Sequence, residues 1–250
     1  LLPNGAVYTP YGATESLPVA KVSSEDLLAE DVRRATLSGA GTCVGRSAPG
    51  IDWCLLPVDD APIERLDPSA GLGAGQVGEL AVRGPQVTEE YADLPEPTRR
   101  AKARDAQGRV WHRMGDLVQA DDAGRLWFQG RASHRIRAAA GDIACVPAEN
   151  VVLASTDVER AALVAAGEPG AQTPVLVLEL DKGRIKRDGD RLRTAALDAL
   201  EQAGLPVTLD GQRVPVEQVL FHPHFPVDVR HNSKIHRTDL SAWATARLGR

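Results

Sequence analysis

Short strand-like apolar runs mark the first half of the chain, residues 51–58, 78–83, 110–112 and 125–129, each bounded by Gly, Pro or Asp turns, and the run into Gly84 alternates apolar with polar positions. A two-residue period bounded by turn residues predicts strands, here gathered into a compact β subdomain. Asp121-Asp122-Ala123-Gly124 reads as a hairpin turn between two of them. Residues 24–37 follow the helical period instead, with Ser24 as N-cap, acidic residues early and Arg33-Arg34 late, as the helix dipole prefers. Further on, runs 161–166 and 175–180 predict strands, the second apolar enough to be central in a small sheet. Leu192, Ala196, Ala199, Leu200 and Ala203 share one face of a helix predicted over 190–203, capped by Asp190 and stopped by Gly204 and Pro206. A strand around 216–221 and a last helix from Thr238, with Leu240, Trp243, Ala244 and Leu248 inward, complete the pattern. The expected class is α/β (α+β): a β-rich part over 1–130 and a small α+β domain over 131–250.

Composition narrows the function classes. The chain has 250 residues, 43% of them hydrophobic, enough for an ordinary core in one large or two modest domains. A net charge of -5 with dispersed basic residues offers no positive block for a phosphate backbone, so nucleic acid is not an expected partner. Cys43, Cys54 and Cys145 show neither CxxC spacing nor a nearby His cluster, which argues against a disulfide framework or structural zinc and suits a reducing cytoplasm. No apolar run approaches the ~20 residues of a membrane span. The chain opens on Leu1-Leu2-Pro3, already in strand-like sequence, which reads as part of something longer.

Four short motifs carry candidate chemistry. Tyr11-Gly12-Ala13-Thr14-Glu15 places a ring, a glycine, a hydroxyl and a carboxylate together, groups able to stack on a base, admit backbone, bond a phosphate and hold a hard cation; taken alone, the string reads as a turn. Gly115-Asp116-Leu117 places a carboxylate at an expected strand end, suited to a ribose diol, although a turn aspartate is the plainer explanation. Arg230 to Arg237 is the densest cationic turn, and within it Lys234 would present an ammonium to a carboxylate and a phosphate. Residues 130–149 separate the two compositions and read as a hinge joining two lobes that close over a nucleotide. The Gly73–Gly78 GxGxxG leads into a strand rather than a helix and is rejected as a dinucleotide fingerprint. His222-Pro223-His224 lacks a carboxylate or cysteine at ligand spacing and reads as structural.

In their fixed order, Tyr11-Gly12-Ala13-Thr14-Glu15, Gly78-Glu79-Leu80-Ala81-Val82-Arg83-Gly84, Gly115-Asp116-Leu117 with Gly130-Arg131, and Asn232-Ser233-Lys234 resemble the adenylate-forming superfamily of acyl-CoA synthetases, peptide-synthetase adenylation domains and luciferases. The resemblance covers nearly the whole chain. It implies the end of a large AMP-binding domain with a barrel-like β subdomain, then a small mobile C-terminal domain, and a reaction in which a carboxylate attacks the α-phosphate of ATP. It implies that Tyr11 stacks on adenine beside Gly12, Thr14 touches phosphate, Glu15 holds Mg²⁺, Asp116 binds the ribose hydroxyls, Arg131 binds ribose or phosphate, and Lys234 bridges acyl carboxylate and nucleotide. The family's phosphate loop would lie upstream of Tyr11, so this stretch alone is not expected to adenylate a substrate.

The hinge departs from the common pattern: Ser133 stands where an acidic residue is usual, His134 follows, and Ile136-Arg137-Ala138-Ala139-Ala140-Gly141-Asp142-Ile143 replaces the usual lysine-containing run. With these departures the chain most resembles the β-lactone synthetases of olefin biosynthesis, which use no CoA. The implied partners are a 2-alkyl-3-hydroxy fatty acid, ATP and other enzymes of the same pathway. His134 is a candidate base for the hydroxyl proton, its plainer reading being a surface hinge residue. The alternatives are an ATP-dependent fatty acyl-CoA ligase or a non-catalytic fragment.

Overall fold

Pro10, Gly12 and Pro18 disguise as turn what the chain uses as paired strands. In the computed structural model, which describes residues 5–228 and 234–249, β1 (Tyr8–Ala13) and β2 (Ser16–Ser23) form a hairpin around Thr14-Glu15. β1 is the edge of its sheet, where a proline leaves no ladder bond unmade.

The expected helix over 24–37 is two helices, α1 (Ser24–Leu28) and α2 (Glu30–Leu37), broken at Ala29, whose ψ of 136° is extended. The cap is Ser23, not Ser24. Its hydroxyl accepts from Asp26 N at 3.0 Å while the Asp26 carboxylate accepts from Ser23 N, a reciprocal capping box that fixes the start one residue early.

Then follow β3 (Thr42–Ser47), β4 (Asp52–Leu56), β5 (Val77–Arg83), α3 (Pro95–Ala101), β6 (Lys102–Arg104), β7 (Val110–Ala120) and β8 (Leu126–Arg131). The eight strands form one sheet in the order β1-β2-β3-β8-β7-β5-β4, with β6 paired to β7. Every pairing is antiparallel. Val19, Leu55, Leu80, Val82, Met114, Val118 and Leu126 pack as one core, with Tyr11 against it. The run expected over 110–112 is the start of the 11-residue β7. That strand kinks where its register with β5 jumps, Glu79 facing Leu117 but Ala81 facing Arg113. Gly115, at φ +66°, takes the bend. Asp116 therefore lies inside a strand rather than at its end. Asp121-Asp122-Ala123-Gly124 turns β7 into β8 as expected, with Gly124 N donating to Asp121 O.

The remaining elements are β9 (Ile136–Ala138), β10 (Gly141–Ile143), α4 (Val146–Ser155), β11 (Ala161–Ala166), β12 (Thr173–Glu179), α5 (Lys182–Ala203), β13 (Gln218–His222) and α6 (Arg237–Leu248). β9 and β10 form a hairpin, and β12 is the centre of a three-stranded sheet, antiparallel to β11 and parallel to β13 across α5. Alternation sorts its side chains to two faces. Leu163, Leu176 and Leu178 meet Leu192, Ala196 and Leu200 of α5 and Val151 and Val152 of α4. Ala162, Val164, Val175 and Val177 meet Leu240 and Ala244 of α6. The helix expected from Asp190 begins eight residues earlier. Asp181 accepts from Gly183 N and Arg184 N at 2.8 and 3.0 Å, while Asp190 is simply exposed on the helix. The charged, glycine-containing stretch 182–191 has too few apolar positions to show the period, although Gly189 is itself buried against Phe221.

The chain divides into two compact units, Leu1–Arg34 with Thr42–Ala132, and Ala35–Gly41 with Ser133–Arg250. No helix among the described residues is long and apolar enough to cross a membrane.

Candidate functional site

Pairing of β7 with β8 sets Asp116 directly opposite Arg131. Arg131 Nη1 donates to Asp116 Oδ1 at 2.7 Å and to Met114 O at 3.1 Å. The Tyr11 hydroxyl, from the hairpin strand β1, donates to Asp116 Oδ2 at 2.5 Å. Three of the residues singled out in sequence thus form one cluster. Asp116 is only 4% exposed, and this burial pushes its carboxyl above the usual range against the opposing pull of Tyr11 and Arg131. Burial first, then the Asp116 charge, holds the Tyr11 phenol well above its ordinary value, so it remains a donor. The Tyr11 ring lies tilted by 51° against Phe128, 6.3 Å between centroids.

Glycines set the clearances. A Cβ on Gly12 would meet Ser16 O at 2.4 Å across the hairpin, and one on Gly115 would stand 3.2 Å from the Arg131 guanidinium at a φ that side chains disfavour.

Thr14 and Glu15 occupy the β1–β2 turn, Thr14 exposed and Glu15 half-buried. Glu15 O accepts from Thr88 N at 2.9 Å, and Glu15 Oε1 accepts from the Tyr91 hydroxyl at 2.6 Å. That bond holds the Glu15 carboxyl below its usual range. Tyr91 itself is pushed up to about 12 by burial and by its bond to Glu15. Lys102 donates to Thr88 O at 2.6 Å and to Thr88 Oγ1 at 3.0 Å, and its ammonium lies 5.6 Å from the centre of the Tyr91 ring. Neither Tyr91 nor Lys102 carries a signal in sequence, since their bearing on Glu15 arises from pairing between distant segments.

Lys234 is exposed in the other unit, next to the Val227–Ile235 bridge, and Asp228 N donates to Lys234 O at 2.9 Å. Arg230, His231, Asn232 and Ser233 of the same motif lie outside the described residues. Ser133 and His134 line a pocket of about 150 Å³ with Arg135, Gln172, Arg237 and Ser241. The His134 carbonyl accepts from Cys145 Sγ at 3.3 Å, and all three cysteines are free and buried. His222 packs edge-on against Trp243, 4.7 Å between ring centres. Among the described residues no group of three or more His, Cys, Asp or Glu gathers to hold a metal ion.

Sequence reasoning also missed an ion pair in the second unit. Arg237 grips Glu149 through both guanidinium nitrogens at 2.5 and 2.6 Å, and Glu149 Oε1 also accepts from Leu163 N.

No family model matches the sequence. Among solved structures, the amide bond synthetase McbA of Marinactinospora thermotolerans superposes with a TM-score of 0.69 at 23% identity, over 95% of this chain and 41% of that one. ATP-bound MatB of Rhodopseudomonas palustris does so with a TM-score of 0.65 at 18% identity, over 96% and 41%. The fold is one that this chain shares with about two fifths of each of these two structures.

In sequence, the close homologues of this chain are olefin beta-lactone synthetases. The chain is 42% identical to that of Stenotrophomonas maltophilia over 255 aligned residues, 99% of this chain and 44% of the relative, and 40% identical to that of Xanthomonas campestris over 98% and 43%. It therefore spans less than half the length of the curated relatives it matches.

Proposed function

We propose that the chain is the C-terminal part of an ATP-dependent β-lactone synthetase, comprising the end of its AMP-binding domain over 1–130 and its small C-terminal domain over 131–250. The substrate is a 2-alkyl-3-hydroxy fatty acid. The observation that carries this reading is the Tyr11–Asp116–Arg131 cluster, a buried carboxylate with spare lone pairs beside an aromatic ring and a half-exposed guanidinium. Such a set suits a nucleoside: the carboxylate accepts from the ribose diol, the ring faces the base, and the guanidinium meets ribose or phosphate.

The activation step joins a carboxylate oxygen of the acid to the α-phosphorus and releases pyrophosphate. Lys234 balances the charge that develops between acid and phosphate, and Thr14 donates its hydroxyl to a phosphate oxygen. The site fits Mg²⁺ through Glu15, whose carboxylate has only Oε1 taken by a neighbouring side chain and would hold the cation. When bound, the cation offsets phosphate charge. In the second step the 3-hydroxyl oxygen bonds to the acyl carbon, the bond to AMP breaks, and the hydroxyl proton leaves to a base.

The test is incubation of the full-length protein with ATP, Mg²⁺ and a long 2-alkyl-3-hydroxy acid. Lactone, AMP and pyrophosphate without CoA are expected. Strict dependence on CoA with a thioester product establishes an acyl-CoA ligase instead.

A further inference from the structure

The Glu15 carboxylate sits on a two-residue turn, which by itself gives a side chain no fixed direction. Four parts of the fold bear on that direction. The segment after β5 sends Thr88 N to Glu15 O and the Tyr91 hydroxyl to Glu15 Oε1. The Tyr91 backbone is tied to α3, with Tyr91 N donating to Thr98 Oγ1 at 2.9 Å. β6 contributes Lys102, which is 9% exposed, ties down Thr88 and lies over the Tyr91 ring. β7 contributes His112, whose ring is anchored to Ala101 O at 3.2 Å. Among the described residues only Oε1 of Glu15 is held by a neighbouring side chain, so Oε2 is the oxygen left for a ligand.

We infer that Tyr91 is the positioning residue of Glu15: it holds Oε1, directs Oε2 toward the cation and phosphates, and is itself seated by Lys102. This rests on the reading of Glu15 as the Mg²⁺ residue. An ionised carboxylate can only accept, so the Tyr91 hydroxyl is the donor and the direction of the hydrogen bond is fixed. Tyr91→Phe keeps the ring against Lys102 and removes only the donor.

The experiment is calorimetric titration of Mg²⁺ into the full-length protein saturated with a non-hydrolysable ATP analogue, for wild type, Tyr91→Phe and Glu15→Gln. Tyr91→Phe is expected to weaken Mg²⁺ binding about threefold to tenfold, the worth of one hydrogen bond to a charged group. Metal-free binding of the analogue and the thermal midpoint should stay near wild type. If Glu15→Gln abolishes Mg²⁺ binding while Tyr91→Phe leaves the affinity unchanged, the inference about Tyr91 fails alone. If Glu15→Gln changes nothing, the reading of Glu15 fails and takes this one with it.

Discussion

Tyr11 and Asp116, 105 positions apart in sequence, share a hydrogen bond of 2.5 Å. The phenol caps one carboxylate oxygen while Arg131 caps the other, so a side chain that burial would otherwise neutralise keeps two donors favouring its charge. In the full-length protein Tyr11→Phe removes one of those donors and preserves the ring. ATP affinity is expected to fall about threefold to tenfold. The loss is larger at acid pH, because the Asp116 pKa rises further without the phenol and the carboxylate protonates sooner. Titrations at pH 5.5 and 7.5 measure it; a loss equal at both values contradicts the assigned role.

His112 gives a stability prediction with a definite sign. Burial is the main cause holding its imidazole at about pKa 4, with Lys102 nearby adding to the effect. An unfolded histidine binds its proton near pH 6.5, so the unfolded state takes up more protons between about pH 6.5 and 4. Stability is therefore lost as pH falls through that window, by about 3 kcal/mol, and the loss levels off below it. His112→Gln should flatten this part of the curve. Denaturant unfolding of both proteins at pH 4, 5, 6 and 7 measures the difference, and parallel curves would exclude it.

How far these relationships were legible in sequence depends on their range. The central strand β12 was readable because its apolar run is local and bounded, and the Gly204 stop because a helix end is written in a few adjacent residues. Tyr11, Asp116 and Arg131 were each named, but their mutual contacts come from the β1 hairpin and the β7–β8 register, which no local pattern fixes. Tyr91 stayed hidden because its hydroxyl finds Glu15 across 76 positions. The first half of α5 stayed hidden because its charges pair laterally, Arg184 and Arg191 with Asp157, instead of marking an apolar face.

Glu149 and Arg237 were silent for the same reason, 88 positions apart, yet they form a buried bidentate pair. Removing one partner of such a pair strands the other charge. Glu149→Gln is expected to destabilise the protein by about 3–5 kcal/mol. Glu149→Leu combined with Arg237→Met should cost less than the sum of the two single changes, because neither charge is then left unpaired. Chemical denaturation of wild type, Glu149→Gln, Glu149→Leu, Arg237→Met and the double variant yields the single cost and the coupling, and simple additivity would show that the pair contributes nothing as a pair.

Lys234 provides the sharpest test of the proposed chemistry. It is exposed, next to the Val227–Ile235 bridge, so its replacement disturbs no buried contact. Loss of a residue that serves the ground state lowers affinity, whereas loss of one that meets charge only as the acid attacks the phosphate lowers the rate. Lys234→Ala in the full-length protein is expected to slow pyrophosphate release about 10²–10³-fold, the range seen when one transition-state donor is lost. ATP affinity should remain within about threefold of wild type. Single-turnover pyrophosphate release, run beside calorimetry of ATP binding, separates the two effects. Equal loss of affinity and rate would place Lys234 among the ground-state contacts and leave the developing charge to another group.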